Sequence, residues 1–315
     1  MNDGPPLRPD DGSAQNDGEG LMRSRREVLL FGLAACLQAG PAMAQASTDF
    51  GDPKPVRILG YDGEAMEPFL SRDGRYLFFN NRNDPKIDTD LFWAERIDDL
   101  TFRFLGPLPG ANSHDLDAVA SMDSGGQFYF VSSRDYAATG ALIHRGTFEH
   151  GRVRDIGIVA GLVSKAKPGF NFDAEISADG ARLYYVESRR GAHASRLALA
   201  DRVGDSFVRD VRSDDLLRQV NGAGMVYAPA TSADGLELFF TRATFGMPLN
   251  PPKIYQARRS RTDQPFGPPT QIDAISGFAE APTISPDNLA LYYHALIDGR
   301  FTIWRVTRRA RPALV

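Results

Sequence analysis

Five copies of one short pattern constrain this chain more than any other feature it carries. The first copy, EPFLSRDGRYLFF from Glu67 to Phe79, reads as a short strand, a Ser-x-Asp-Gly turn and a second strand ending in aromatic residues. The others are DAVASMDSGGQFYF from Asp117, DAEISADGARLYY from Asp173, YAPATSADGLELFF from Tyr227 and EAPTISPDNLALYY from Glu280. Counted between the turn aspartates Asp73, Asp123, Asp179, Asp234 and Asp287, the copies lie roughly 50 to 56 residues apart, the spacing of blade-sized repeats.

Within each copy the turn is hairpin chemistry, because Asp accepts local backbone bonds and Gly tolerates a positive φ. The second strands end in bulky triplets such as Leu77-Phe78-Phe79 and Leu183-Tyr184-Tyr185, whose apolar side chains leave both faces, as in strands packed between two sheets. Third strands with approximate alternation follow at Leu91 to Ile97, Ala141 to Phe148, Arg196 to Val203, Lys253 to Ser260 and Phe301 to Arg308. Weaker fourth strands come next at Phe102 to Gly106, Val153 to Val159, Ser206 to Val211 and Thr270 to Ile275. Four strands per repeat predict an all-β chain, a five-bladed β-propeller over residues 54–309. No long apolar pattern of helical period competes with it. The fifth copy ends without a fourth strand. Pro55 to Gly60, just before the first copy, has the spacing to supply it, so this N-terminal strand is expected to pair with Phe301 to Val306 and close the ring.

Upstream of the repeats, residues 1–21 hold five acids among Gly, Pro and Ser, too polar to bury, and predict a disordered extension. Met22 is an alternative start to Met1. Residues 22–46 read as an export signal: Arg23, Arg25 and Arg26, an apolar run from Val28 to Leu37, then Pro41 and AMAQA. That run is shorter than the roughly 20 apolar residues a membrane span needs, so no transmembrane segment is expected in the mature chain. Ala42-Met43-Ala44 and Ala44-Gln45-Ala46 fit cleavage to a soluble periplasmic or secreted product. Leu33-Ala34-Ala35-Cys36 offers the alternative of a lipoprotein anchored through Cys36. Cys36 is the single cysteine, so the repeats carry no internal disulfide. With 42% hydrophobic and 24% charged residues and a net charge of -4, the chain has too little positive excess for nucleic acid, and a monomer is expected.

Candidate chemistry is sparse. There is no G-x-S-x-G, and Ser71, Ser121, Ser177, Ser232 and Ser285 all align at one turn position, which argues for hairpin capping. The histidines show no metal-binding spacing, and His114 with Asp115 and Asp117 is the one weak candidate ligand set for a metal. More telling are acids entering the first strands: Glu67, Asp117 and Asp173 at one aligned position, with Glu175 and Glu280 nearby. Around a central channel these carboxylates, with Tyr227, form the candidate ligand-binding set. A calcium ion at the channel mouth is the one cofactor they suggest. Glu67, Asp117, Asp173 and Glu175 are also the candidate catalytic acids. Arginines such as Arg82, Arg134 and Arg189 are the competing partners that would consume them. Tyr136, Phe170, Phe172, Tyr227 and Phe245 are candidate stacking residues for a sugar or peptide.

The recurring L-S-x-D-G-x-x-L-Y/F-F resembles the TolB-type, WD-like propeller repeat of exported bacterial proteins, over Pro55 to about Arg309, and Ser24-Arg25-Arg26-Glu27-Val28-Leu29 resembles a twin-arginine export signal. The resemblance implies a periplasmic binding or scaffolding module whose partner is a protein or glycan of the cell envelope. The chain lacks room for TolB's separate N-terminal domain and shows five repeats where TolB has six, so TolB's lipoprotein partner does not carry over. Arabinanase-type glycosidases also use a five-bladed ring with carboxylates from different blades, which keeps a glycosidase- or lyase-type enzyme as the alternative.

Overall fold

A computed structural model describes residues 49–81, 83, 88–163, 169–189, 194–222, 224–244 and 250–309 of the chain. The leader, Cys36, Arg82, Phe245 and the side chain of Arg189 lie outside the described residues. The described chain is all-β, with two four-residue helices.

Repeat one contributes β3 (Met66–Leu70), β4 (Tyr76–Asn80), β5 (Leu91–Arg96) and β6 (Thr101–Pro107). Repeat two contributes β7 (Asp117–Met122), β8 (Gln127–Ser132), β9 (Ile143–Glu149) and β10 (Arg152–Ile158), with α1 (Tyr136–Thr139) between β8 and β9. Repeat three gives β11 (Gly169–Ile176), β12 (Arg182–Arg189), β13 (Ser195–Val203) and β14 (Ser206–Arg209), followed by α2 (Ser213–Leu216). Repeat four gives β15 (Met225–Thr231), β16 (Glu237–Ala243), β17 (Lys253–Arg258) and the two-residue β18 (Thr270–Gln271). Repeat five supplies β19 (Ala279–Ile284), β20 (Ala290–Ile297) and β21 (Arg300–Arg308). Within each repeat successive strands pair antiparallel, and a single parallel bridge, Ser195 to Met225, joins repeats three and four.

The missing outer strand of repeat five is β1 (Phe50–Pro55), paired antiparallel with β21 from Phe50 opposite Arg308 to Pro55 opposite Trp304. The segment expected in that role begins only where β1 ends. Val56 donates one bond to the Ile303 carbonyl at 2.9 Å, and then β2 (Arg57–Leu59) leaves to lie parallel to β6. The shift puts Phe50, 2% exposed, against Phe239 and under the Arg308 guanidinium, 4.6 Å from its ring centre.

The second-strand triplets are buried, as their two-faced apolar pattern requires: Phe78, Phe128, Tyr184, Phe239 and Leu291 belong to core clusters between sheets. Neighbouring first strands touch in the order β3, β7, β11, β15, β19, and β19 contacts β3 again. Each first strand carries a bulge, and its residue at positive φ is Glu67, Val119, Asp173, Ala228 or Ala281, none a glycine. A β-branched residue in that region, as at Val119, is a costly choice unless packing over-determines it.

Candidate functional site

The strand register moves one repeat relative to the sequence alignment. Phe69, Ser121, Glu175, Ala230 and Thr283 are the equivalent residues, each opposite the central aromatic of its second strand. In repeat two the turn is one residue shorter: the Asp123 amide bonds to the Gln127 carbonyl, where the Ser71 amide reaches Tyr76. Asp123 thus stands in the place of the capping serines, and its Oδ1 accepts from the amides of both Gly125 and Gln127 at 2.9 Å. One carboxylate does what Ser71 and Asp73 do jointly in repeat one. Ser121 is consequently no turn serine. Asp117 is equally displaced, and the residue that matches Glu67 and Asp173 is Val119.

The first strands of all five repeats line one narrow cavity of about 30 Å³, faced by Glu67, Asp173, Glu175, Pro68, Pro229 and Pro282 among others. At the end nearer the turns it is crossed by Arg72. This side chain gives Nε to the Met122 carbonyl at 2.9 Å and Nη2 to the Ile176 carbonyl at 2.5 Å and to Glu175 Oε1 at 2.9 Å. Glu175 also accepts from the Ser121 hydroxyl at 2.6 Å and the Thr231 amide at 3.2 Å. Four repeats therefore meet on one buried ion pair. The sequence analysis missed Arg72, although it stands where repeats three to five have Ala178, Ala233 and Pro286.

At the opposite end, Glu280 accepts from the Tyr227 hydroxyl and lies 3.3 Å from His294 Nε2. The other ring nitrogen, Nδ1, accepts the Glu67 amide at 3.0 Å, so the proton belongs on Nε2. Glu67 Oε1 accepts from Asn83 at 3.2 Å, and Asp173 Oδ2 from the Ala228 amide at 3.2 Å. His294 has two counterparts, also missed: Asn80 accepts the Val119 amide at 3.3 Å and Thr241 the Ala281 amide at 3.0 Å. All three sit two residues beyond the central second-strand aromatic and receive the bulge amide of the next repeat. The legible signal was a polar residue there in three of five copies, with Val131 and Val186 in the others.

Asp117 is fully buried away from both groups, its Oδ1 on Arg134 at 2.6 Å and its Oδ2 on the amide and hydroxyl of Ser113. It shapes its surroundings: burial first, then Asp117 and Asp88, push the Asp90 carboxyl above the usual carboxylate range. His114 and Asp115 are exposed, whereas Asp117 is buried. Among the described residues no group of three or more His, Cys, Asp or Glu side chains is placed to hold a metal ion. No described helix is long and apolar enough to cross a membrane. Phe170 and Phe172 lie with ring centres 5.3 Å apart, and Phe172 packs with Tyr227 on the core of repeats three and four.

Neither a family model nor a curated protein matches this sequence. Solved structures do resemble its fold. A family 117 glycoside hydrolase of the marine bacterium Zobellia galactanivorans aligns at 12% identity and a TM-score of 0.52, covering 83% of this chain and 91% of that one. The catalytic domain of the GH62 α-L-arabinofuranosidase of Coprinopsis cinerea aligns at 12% identity and 0.51, over 83% and 97%. TolB from Acinetobacter baumannii is similar at 13% identity and 0.46, over 78% of this chain and 54% of that chain. At these identities the likeness to the two hydrolases speaks for a propeller-like fold alone and leaves the chemistry open.

Proposed function

We propose that residues 50–309 form a five-bladed β-propeller, completed by the pairing of β1 with β21, and that this exported domain is a binding or scaffolding module of the cell envelope. The reading rests on one observation: two of the four candidate catalytic acids are engaged inside the protein. Glu175 is tied to Arg72, Ser121 and Thr231, and Asp117 to Arg134 and Ser113. The cavity beside them, about 30 Å³, has room for roughly two water molecules. Small-molecule pockets commonly take about 300 to 1,000 Å³. The half-buried Glu67, Tyr227 and Glu280 at the other end are the groups through which a protein or glycan partner is engaged, with the buried Asp173 nearby.

Hydrolysis of aryl arabinofuranosides and xylosides by the purified chain tests this. No turnover above a Glu67→Gln, Asp173→Asn preparation is expected. Turnover that disappears in that variant makes the protein an enzyme and ends the scaffold reading. Export is tested by changing Arg25 and Arg26 to Lys, which should leave the precursor in the cytoplasm.

A further inference from the structure

We infer that His294 is a pH-sensitive latch on the seam between the last repeat and the first. The ring is fully buried in β20 and accepts the Glu67 amide of β3 on Nδ1 at 3.0 Å. That bond exists only while Nδ1 carries no proton. An imidazolium would set a second N–H against the Glu67 N–H, donor facing donor, while Nε2–H kept its carboxylate partner. The proton and the latch exclude one another. An unconstrained imidazole takes up its proton near pH 6.5, so mild acid favours the released seam.

The surroundings supply what such a device needs. From β19, Glu280 lies 3.3 Å from Nε2 and carries the Tyr227 hydroxyl of β15 on its other oxygen. From β3 comes Glu67, whose carboxylate is held by Asn83. From β21 the Phe301 ring faces the imidazole edge-on at 5.5 Å, and Ile303 is the residue opposite His294 in the sheet. An imidazolium would thus keep the Glu280 carboxylate on Nε2 and lose only the Glu67 amide on Nδ1. Close by, Ala65 donates to the Phe301 carbonyl and Phe301 to Glu64, bonds that share the seam with the latch. The two counterpart latches use Asn80 and Thr241, which do not titrate. Acid therefore acts on one seam and spares those two.

Amide hydrogen exchange of the full chain, compared between pH 7.5 and pH 5.5 after correction for intrinsic exchange, reads this directly. Loss of protection by tenfold or more is expected in the peptide containing Glu67, with the peptides containing Val119 and Ala281 unchanged. His294→Asn keeps an acceptor of the kind Asn80 provides and should abolish the acid response of the Glu67 peptide. Equal responses in the three wild-type peptides, or an unaltered response in H294N, overturn the latch. The wild-type comparison decides the matter even where H294N does not fold.

Discussion

The two ends of the central cavity use carboxylates in opposite ways. At the turn end, Glu175 is fixed by a guanidinium, a hydroxyl and an amide from three other repeats, and its side chain is 6% exposed. At the other end, Glu280, 17% exposed, shares hydrogen bonds with a phenol and a neutral imidazole. A buried charge with an opposite charge beside it is stable but immobile, since moving either partner strands the other. Hydrogen bonds from neutral donors to a carboxylate are worth about 1.5 to 3 kcal/mol each, less than the roughly 3 to 5 kcal/mol lost when one partner of a buried ion pair is removed. The first end is therefore a staple, and the second is the end whose described hydrogen bonds a ligand or a proton can compete for.

The sharpest way to break this contrast is to remove one charge at each end. Glu175→Ala leaves Arg72 buried without its carboxylate and should cost about 3 to 5 kcal/mol in urea unfolding. Glu280→Ala should cost less, about 1.5 to 3 kcal/mol. Equal losses would make both ends structural. Phe50→Ala tests whether the chain ends are held as firmly as the staple: its ring is 2% exposed, and the loss should be about 3 to 5 kcal/mol if β1 is integral to repeat five. A loss below 1 kcal/mol would show a frayed N-terminal strand.

A smaller difference is expected between the turns. Asp123→Ala removes the acceptor of two amides at once and should cost about 2 kcal/mol, whereas Asp73→Ala leaves the Ser71 hydroxyl capping Tyr76 and should cost about half of that. Thermal melts of the two variants in parallel decide it. The smallest effect concerns acid. The Ser177 hydroxyl and the Ala181 amide hold the Asp179 carboxyl below its ordinary range. A depressed folded value means the contribution is complete above about pH 4 and is lost as pH falls through the folded value. Asp179→Asn should therefore flatten the stability profile below pH 4 and leave the region near pH 6.5 unaltered. A profile unchanged below pH 4 would overturn this contribution of Asp179.

Most strands could be read from the chain directly, because each repeat writes its own hairpin: alternation, a turn and a bulky triplet act over a dozen residues. Third strands expected at Leu91 to Ile97 and Arg196 to Val203 are found at Leu91–Arg96 and Ser195–Val203. The closing strand was expected several residues too late. Val56 to Leu59 is apolar enough to be a strand anywhere, and the choice between β21 and β6 depends on Phe50 finding its place beside Phe239.

By itself, then, the sequence determined the repeat, its strand content and the position of most elements, since these follow from side chains close together along the chain. The site was decided by tertiary structure. Asp123 standing where Ser71 stands, and not where Asp73 does, put Asp117 two residues out of line with Glu67, and no local signal in Asp123 announces that it does the work of two residues. Arg72 meets Glu175 across 103 positions of sequence, and His294 meets Glu67 across 227. Whether a carboxylate is spent or available depends on such partners, which only packing the repeats around a shared cavity brings within 3 Å.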